Sequence, residues 1–304
     1  MKFEVTILGS SSATPIFNRN PSSQALNVND RIYLIDCGEG TQQQMLKFDI
    51  KASRIDDIFI SHLHGDHYLG LVGLLSSLHL NGRKKPLKIF GPQHLKDIIE
   101  LQLRYSETEL QYAIEFRPTN ANQSEVILDN QDVTVETIPL QHGIACTGFL
   151  FREKKRLRKL IKEKLDEIGV PVEYFSTLKK GADYVATDGK VYKNNTLTTD
   201  PAEPKTYVYC SDTCYNEKYF GQISNSTLLY HEATFLHNML ERANETQHTT
   251  ARQAAEVALK TNAGKLLIGH FSARYKTLIE LLDEARSIFP ETELAIEGKT
   301  FLIE

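Results

Sequence analysis

The feature that most constrains this chain is a short run of potential metal ligands. Residues 62–67 read His-Leu-His-Gly-Asp-His, so three histidines and an aspartate share six consecutive positions. Histidine and aspartate are costly to bury without partners, and an ordinary surface loop gains nothing from crowding them. Gly65 lacks a Cβ and permits a tight backbone path between the ligating side chains. We therefore predict that the chain folds around a metal centre at this run.

Strand-like and helix-like segments alternate along most of the chain. The start of the sequence, FEVTILG followed by ALNVND and RIYLIDCG, predicts an antiparallel region rich in hairpins. Apolar spacing predicts helices at 71–78, 95–105, 251–260 and 276–289, and strands at 55–61, 86–92, 133–140, 206–212, 227–233, 265–271 and 292–298. Sheets of this extent with helices to cover them predict an α+β fold with two sheet layers.

Two closed metal sites need more ligands than the run supplies, and residues just after other predicted strands provide them. His142, Asp212 and His270 each follow such a strand. A lone histidine after a strand is more often a surface residue, but the nearby run favours the metal interpretation. Because a carboxylate has two oxygens, Asp212 is expected to bridge both ions. We predict one site of His62, His64, His142 and Asp212, and a second of Asp66, His67, His270 and Asp212. Imidazole and carboxylate ligands suit zinc, with manganese as the alternative.

Residues 152–204 differ from the rest of the chain. Eight of the thirteen residues from Arg152 to Lys164 are Lys or Arg, in a protein whose net charge is −4. The apolar residues between 157 and 168 have helical spacing, which predicts one amphipathic helix with a basic outer face. A turn at Gly169 and a hairpin at Asp188-Gly189 follow. We interpret the chain as a single domain, 1–304, interrupted by a projecting basic helical arm at 152–204. An ordinary solvated surface is the competing explanation of the basic face.

Composition narrows the cellular context. No apolar run approaches the roughly 20 residues of a membrane helix, and the N-terminus does not resemble a signal peptide. The four cysteines are too few and too scattered for a disulfide framework, and Cys210 with Cys214 is weak evidence for a metal pair. These observations predict a cytoplasmic protein with no membrane partner.

The H-x-H-x-D-H run between a strand and a helix resembles the signature of the metallo-β-lactamase superfamily, which implies an αββα sandwich. More specifically, the chain resembles the ribonuclease Z family. That resemblance rests on DCGEGTQ (36–42), SHLHGDH (61–67), SDT (211–213), HEAT (231–234) and GHFSARY (269–275), in this order, and on the loop NRNPSS (18–23). The combination covers most of the chain and is far more specific than the histidine run alone.

The resemblance implies a two-metal endoribonuclease that removes the 3′ trailer of precursor tRNA, leaving a 3′-hydroxyl on the tRNA and a 5′-phosphate on the trailer. Asp66 would both bind metal and accept the proton of the attacking water. His248 would protonate the leaving oxygen, oriented by Glu232; the plainer alternatives are a helix-cap neighbour and a structural acid. His-Thr-Thr replaces the family's usual His-Ser-Thr at 248–250, and the segment after the first arm helix lacks the family's Gly-Pro pair. A homodimer is also implied.

Phosphate-binding residues are expected at two places. Near the metal centre we predict substrate contacts by Arg19, Asn20, Arg274 and Tyr275, and in the arm by Arg156, Arg158 and Lys159. Guanidinium groups pair well with phosphate oxygens, although most surface arginines are simply solvated.

Two other functions compete with tRNA processing. One is a small-molecule hydrolase or phosphodiesterase of the same superfamily, which substrate competition would distinguish. The other is a non-catalytic RNA-binding or zinc-scaffold protein, which metal stoichiometry and turnover would distinguish. Asp66 argues against the scaffold, because purely structural zinc sites are closed and usually rich in cysteine.

Overall fold

The computed structural model describes residues 2–14, 16 and 18–304, and the chain divides into two compact units. The larger unit comprises Met1–Arg152 and Lys205–Glu304, and the smaller one comprises Glu153–Pro204. None of the helices within the described residues is long and apolar enough to cross a membrane.

Strands and helices alternate along the described residues. The strands are β1 (Phe3–Gly9), β2 (Ser23–Val28), β3 (Arg31–Cys37), β4 (Ile55–Phe59), β5 (Leu87–Gly91), β6 (Ile114–Pro118), β7 (Val126–Asp129), β8 (Val133–Leu140), β9 (Cys146–Glu153), β10 (Lys159–Leu160), β11 (Tyr184–Val185), β12 (Val191–Tyr192), β13 (Thr198–Thr199), β14 (Thr206–Cys210), β15 (Leu228–Glu232), β16 (Leu266–Gly269), β17 (Thr292–Leu294) and β18 (Thr300–Leu302). The helices are α1 (Thr41–Lys47), α2 (Gly65–Tyr68), α3 (Leu71–Leu80), α4 (His94–Tyr105), α5 (Lys162–Ile168), α6 (Phe175–Lys179), α7 (Asn194–Leu197), α8 (Phe220–Ile223), α9 (Leu240–Thr246), α10 (Ala251–Lys260) and α11 (Ile279–Arg286).

Two seven-stranded sheets form the body of the larger unit. The first has the strand order β18-β1-β2-β3-β4-β5-β6, and the second has the order β17-β16-β15-β14-β9-β8-β7. The antiparallel start predicted from the sequence is confirmed, since β1 pairs with β2 and β2 with β3 in antiparallel fashion. Strands β14, β15 and β16 are mutually parallel, so their carboxyl ends meet at one edge of the second sheet.

The inner faces of the two sheets share an aromatic core. The Phe59 ring stacks on Phe90 with ring centroids 4.8 Å apart, and its edge contacts Phe149 and Phe151 from the second sheet at 5.4 and 5.2 Å. Such pairs stabilise a core beyond the apolar area that they bury. Both faces of β3 are covered, which explains its nearly unbroken apolar sequence.

Helices cover the outer face of each sheet. Buried leucines of α3 and α4 pack with β4 and β5 outside the first sheet. Buried alanines of α10 pack with β15 and β16 outside the second sheet. The predicted αββα arrangement of two sheets between helical layers is therefore confirmed.

The smaller unit differs from its prediction. The single helix expected across 157–168 is wrong, because α5 covers only Lys162–Ile168 and β10 pairs with β13 in antiparallel fashion. The physical reason lies in the backbone: Ile161 N–H donates to the Leu197 carbonyl at 2.9 Å, so it is not available to a helix. Basic residues four positions apart, such as Lys155 and Lys159, also repel each other along a helix.

A small apolar core stabilises this unit. It consists of the buried residues Leu165, Val170, Leu178, Tyr184 and Leu197. The hairpin expected at Asp188-Gly189 is present between β11 and β12, with Gly189 at a φ of 84°. A left-handed residue at this position suits glycine.

Candidate active site

The predicted metal ligands converge at one edge of the two sheets. His62 and His64 follow β4, Asp66 and His67 lie in α2, and the other three follow strands of the second sheet: His142 after β8, Asp212 after β14 and His270 after β16. The burial of each strand fixes where the residues just beyond its end emerge, and α2 follows soon after β4. The structure thus brings together all seven residues that the sequence selected.

The ligand atoms form two adjacent groups. His62, His64, His142 and Asp212 make the first group and Asp66, His67 and His270 the second, with the ligand atoms of each group within 4.8 Å of one another. Asp212 faces both. Its Oδ2 lies 3.6 Å from His62 Nε2, and its Oδ1 lies 3.2 Å from His270 Nε2. This geometry suits a carboxylate that bridges two ions.

The chemistry of these side chains fits divalent cations. Buried polar atoms in proteins nearly always have hydrogen-bond partners. Within the described residues, however, the buried atoms His67 Nε2 and Asp212 Oδ1 have none, although they lie 3.4 Å apart. Lone pairs from imidazole and carboxylate groups that converge without donors are the arrangement a metal ion needs.

A second layer of groups orients the histidines. His142 Nδ1–H donates to the Gln247 carbonyl at 3.0 Å, and His67 Nδ1–H donates to Asp36 Oδ2 at 2.7 Å. These bonds place the proton on Nδ1 and turn Nε2 toward the centre. His64 differs, because its Nδ1 is the atom that approaches His62 Nε2 and His142 Nε2, each at 3.1 Å.

Asp36 is the supporting residue that the sequence reasoning missed. Its buried carboxylate accepts hydrogen bonds from the Ser61 N–H and hydroxyl, from His67 and from the Tyr209 hydroxyl, at 2.6 to 2.9 Å. Asp36 also has a left-handed φ of 54°. Its position at the end of β3 in the DCGEGTQ motif was a signal, but that motif supplied only the family resemblance.

Burial and neighbouring charges both shift the pKa values of the clustered ligands. Burial raises the pKa of Asp66, but the adjacent His67 and His270 outweigh it and lower the pKa below its usual range. Burial and the neighbouring His67 lower the pKa of His62. Asp66 is therefore ionised at neutral pH, and its Oδ2 also accepts a hydrogen bond from the Ala13 N–H at 2.7 Å.

His248 and Glu232 form a pair beside the metal ligands. His248 Nδ1 lies 2.9 Å from Glu232 Oε1. The Glu232 carboxylate is fully buried and also accepts the backbone N–H groups of Thr213, Thr249 and Thr234. Burial opposes the protonation of His248, but Glu232 raises its pKa to about 9. The cap of α10 is Thr250, in a capping box with Gln253, so His248 does lie near the cap, but its imidazole faces Glu232.

A cavity of about 630 Å³ opens onto this centre, and Asp66, His248 and Arg274 line it. The exposed Arg274 guanidinium packs over the Phe235 ring, 5.1 Å from its centroid. This position is compatible with the predicted phosphate contact. The Tyr275 hydroxyl instead accepts the Leu236 N–H at 2.9 Å.

Arg19 occupies a different environment from the one expected. Its side chain is buried, and Nη2 donates to the carbonyls of Ser272 and Tyr275 at 3.3 and 2.8 Å. Asn20 N–H donates to Glu297 Oε1 at 2.6 Å. These contacts favour a role in holding the 18–23 loop against the 272–275 loop over direct contact with phosphate.

The predicted arm contacts lie in the smaller unit. Arg156 donates to Glu153 Oε1 at 2.6 Å, and Arg158 donates to Thr198 Oγ1 at 2.7 Å and pairs with Asp200. Lys159 is exposed. Two of the three cations selected from the sequence are therefore already engaged within the unit.

Comparison with known proteins agrees with the fold. A metallo-β-lactamase fold protein from Bacillus subtilis superposes with a TM-score of 0.70 at 20% identity, covering 99% of this chain and 100% of that one. The family model "Anti-Pycsar protein Apyc1" matches residues 3–158. The fold and the clustered ligands define a metal-dependent hydrolase of the metallo-β-lactamase fold.

Two further comparisons narrow the class. The ribonuclease Z of Cytophaga hutchinsonii is 48% identical over 304 residues, which is 100% of this chain and 97% of that protein. The crystal structure of the short form of human tRNase Z superposes with a TM-score of 0.72 at 26% identity and covers 99% of both chains. The chain belongs to the ribonuclease Z family, and the resemblance seen in the sequence is confirmed.

Proposed function

We propose that this protein is a metal-dependent endoribonuclease that removes the 3′ trailer from precursor tRNA. The observation that carries the proposal is the His248–Glu232 pair beside the His/Asp cluster, in a chain that matches a ribonuclease Z along its whole length. A hydrolase that needs only an activated water can rely on the cluster alone. A protonated histidine next to it supplies an acid for a poor leaving group such as a ribose oxygen.

We propose that the seven clustered ligands hold two divalent ions, with zinc favoured by the ligand set and manganese as the alternative. Two such ions would lend positive charge to the scissile phosphate and lower the pKa of an attacking water. Asp66 lines the cavity, so its carboxylate is placed to accept the proton of that water.

His248 completes the proton transfers. The buried Glu232 carboxylate fixes the imidazole through Nδ1, which leaves Nε2 to donate its proton. In the proposed reaction His248 protonates the departing 3′ oxygen while Asp66 takes a proton from water. The products are a tRNA with a 3′-hydroxyl and a trailer with a 5′-phosphate. Arg274, at the rim of the same cavity, is placed to pair with a phosphate oxygen.

We further propose that the smaller unit, Glu153–Pro204, binds the tRNA body. Its support is charge: the first part of the unit contains several exposed lysines, among them Lys155, Lys159, Lys162 and Lys164. The logarithm of the affinity falls linearly with the logarithm of the salt concentration. By analogy with DNA, we expect each phosphate contact on duplex RNA to steepen this fall by at most about 0.9. The double variant Lys159→Ala, Lys162→Ala should therefore lower that slope by up to about 1.8. An unchanged slope would contradict this role.

A homodimer and a cytoplasmic location are also proposed. The dimer rests on the family resemblance alone, and the location rests on the tRNA substrate. Sedimentation of the purified protein tests the first, and cell fractionation tests the second.

The decisive experiment is cleavage of a precursor tRNA with a 3′ trailer, with the ends of the products mapped. We expect a single cut at the trailer junction by the wild-type protein and at least a 100-fold loss in Asp66→Ala. Asp97→Ala is the matched control, because Asp97 lies exposed on α4. Cleavage of a small phosphodiester without cleavage of the precursor would overturn the proposal and favour a small-molecule hydrolase.

A further inference from the structure

A second and larger cavity adjoins the candidate active site. Its volume is about 1080 Å³, and it shares His142 with the cavity already described. We call it the second cavity, and its walls are residues 92–94, 118–122, 139–146, Asn216 and Lys218. The first two segments follow β5 and β6, so this cavity opens at the same sheet edge as the metal ligands.

The two cavities lie on opposite sides of the metal ligands in the strand order. β4, whose end carries His62 and His64, stands between β1 and the pair β5 and β6. Both cavities include residues after β8 and β14. Only the first is lined from the loops after β1, β3, β4, β15 and β16, and only the second from the loops after β5 and β6. A polymer that crosses the metal centre along this edge would therefore pass from one cavity into the other.

The polarity of the proposed cut decides which part of the substrate occupies each cavity. His248, which protonates the departing 3′ oxygen, lines the first cavity and does not line the second. That oxygen belongs to the tRNA body, so the 3′ end of the body lies in the first cavity. The chain beyond the scissile phosphate continues on the other side of His142. We propose that the second cavity binds the single-stranded trailer; this inference rests on the proposed function.

The lining of the second cavity suits single-stranded RNA. The chain contains 39 acidic residues, yet none of the described residues that line this cavity is Asp or Glu. Five carboxamides line it instead: Gln93, Asn120, Asn122, Gln141 and Asn216. Carboxamides donate and accept hydrogen bonds, so they can pair with the exposed edges of any base. Binding of this kind tolerates many trailer sequences.

Two further residues give the cavity testable contacts. Lys218 is its one Lys or Arg among the described lining residues, and its exposed side chain can pair with a backbone phosphate. Ile144 is 39% exposed and offers an apolar surface to a base or ribose. The Asn216 amide donates to Gln141 Oε1 at 3.1 Å, which ties the wall after β14 to the wall after β8.

The experiment compares two precursors that share one tRNA body and carry trailers of one or eight nucleotides. The readout is the ratio of kcat/KM for the long trailer to kcat/KM for the short one. We expect Ile144→Glu to lower this ratio at least tenfold, because the new carboxylate repels the trailer. We expect Lys218→Ala to lower the salt dependence of kcat/KM for the long trailer by about 0.7 log units per log unit of salt, the contribution of one single-strand phosphate.

Ile279→Glu is the matched control, since Ile279 is 54% exposed on α11 and lies outside both cavities. An unchanged ratio in Ile144→Glu, or an equal loss on both precursors, would overturn the inference while the proposed function stands. Failure of the wild-type protein to cut either precursor would instead remove the proposed function itself.

A photo-crosslink provides an independent measurement. A 4-thiouridine at the third trailer position, bound to Asp66→Ala so that the precursor stays intact, should crosslink to residues 118–122 or 139–146. Crosslinks confined to residues 242–248, in the wall of the first cavity, would overturn the assignment.

Discussion

Asp36 offers the sharpest test of how the metal centre is organised. Its Oδ2 accepts the His67 Nδ1–H at 2.7 Å and the Tyr209 hydroxyl at 2.6 Å, while Oδ1 accepts the backbone N–H of Ser61 at 2.8 Å. The proton on His67 Nδ1 leaves the Nε2 lone pair facing Asp212. Asp36→Asn keeps the size of the side chain but replaces one oxygen with an NH₂ group.

The structure determines which oxygen is lost. Because the Ser61 N–H is a fixed backbone donor, the remaining amide oxygen stays at the Oδ1 position, and the NH₂ group faces His67. Two donors cannot pair, so the imidazole moves its proton to Nε2, where it blocks metal binding. Loss of a carboxylate in this position typically costs 10–100-fold in metal affinity, or about 1.4–2.8 kcal/mol.

The assay is a titration of the purified protein with zinc in competition with a chelator. Asp57→Asn is the matched control, because Asp57 is also a buried aspartate and lies on the neighbouring strand β4. We expect weaker zinc binding in Asp36→Asn and unchanged binding in Asp57→Asn. Equal affinity of Asp36→Asn and the wild-type protein would refute the argument that Asp36 sets the tautomer of His67.

Three further predictions follow from single side chains. Burial raises the pKa of Glu297 to about 7, whereas the carboxyl group has a pKa near 4.5 in the unfolded chain. The folded protein therefore keeps a proton that the unfolded chain has released, and the free energy of unfolding falls as pH rises through about 7. The Tm of Glu297→Gln minus that of the wild type should therefore increase from pH 5 to pH 8. Leu165→Ala removes a buried side chain from the smaller unit and should destabilise that unit by about 2–5 kcal/mol, measured by amide exchange. Thr234 Oγ1 contacts His270 Nδ1 at 2.9 Å and donates to Glu232 Oε2 at 2.7 Å, so Thr234→Val should weaken zinc binding about 10–100-fold, whereas Thr234→Ser should not.

The metal ligands outside the His62–His67 run were predictable because His142, Asp212 and His270 each stand one or two residues after the end of a strand. The burial of a strand fixes its register, so the residues just beyond its end emerge at the sheet edge. His142 and His270 look unremarkable as single residues, and only the His62–His67 run made them candidates. Strand ends and a dense ligand run together carried the prediction.

The smaller unit was harder to predict because local spacing was outweighed by nonlocal pairing. The apolar residues from Leu157 to Ile168 have helical spacing, yet Lys159–Leu160 forms a strand with Thr198–Thr199. That partner strand lies about 40 residues further along the chain, and no local sequence pattern indicates the pairing. A short segment with many like charges gains little from a helix, so a few backbone hydrogen bonds to a distant strand decide its conformation.

The residues that support the site could not be predicted from the sequence for another reason. Asp36 is an acid at the end of β3 and Arg19 is a base in the loop after β1, and their residue types alone are compatible with solvent exposure. Their function depends on burial and on which atoms they meet, which is a property of the assembled sheets. The same holds for the second cavity, whose walls come from four separate segments.

We expect folding and metal binding to be strongly linked in this protein. The fold gathers three carboxylates, Asp36, Asp66 and Asp212, at one sheet edge with the imidazoles of the metal ligands His62, His64, His67, His142 and His270. Asp36 has its donors within the protein, whereas Asp212 Oδ1 has no hydrogen-bond partner within the described residues. A cation that binds only the folded chain stabilises it by about 2.7 kcal/mol at a hundred times its dissociation constant. The group of ligands that enables catalysis is thus also the part of the fold that depends most on the ion.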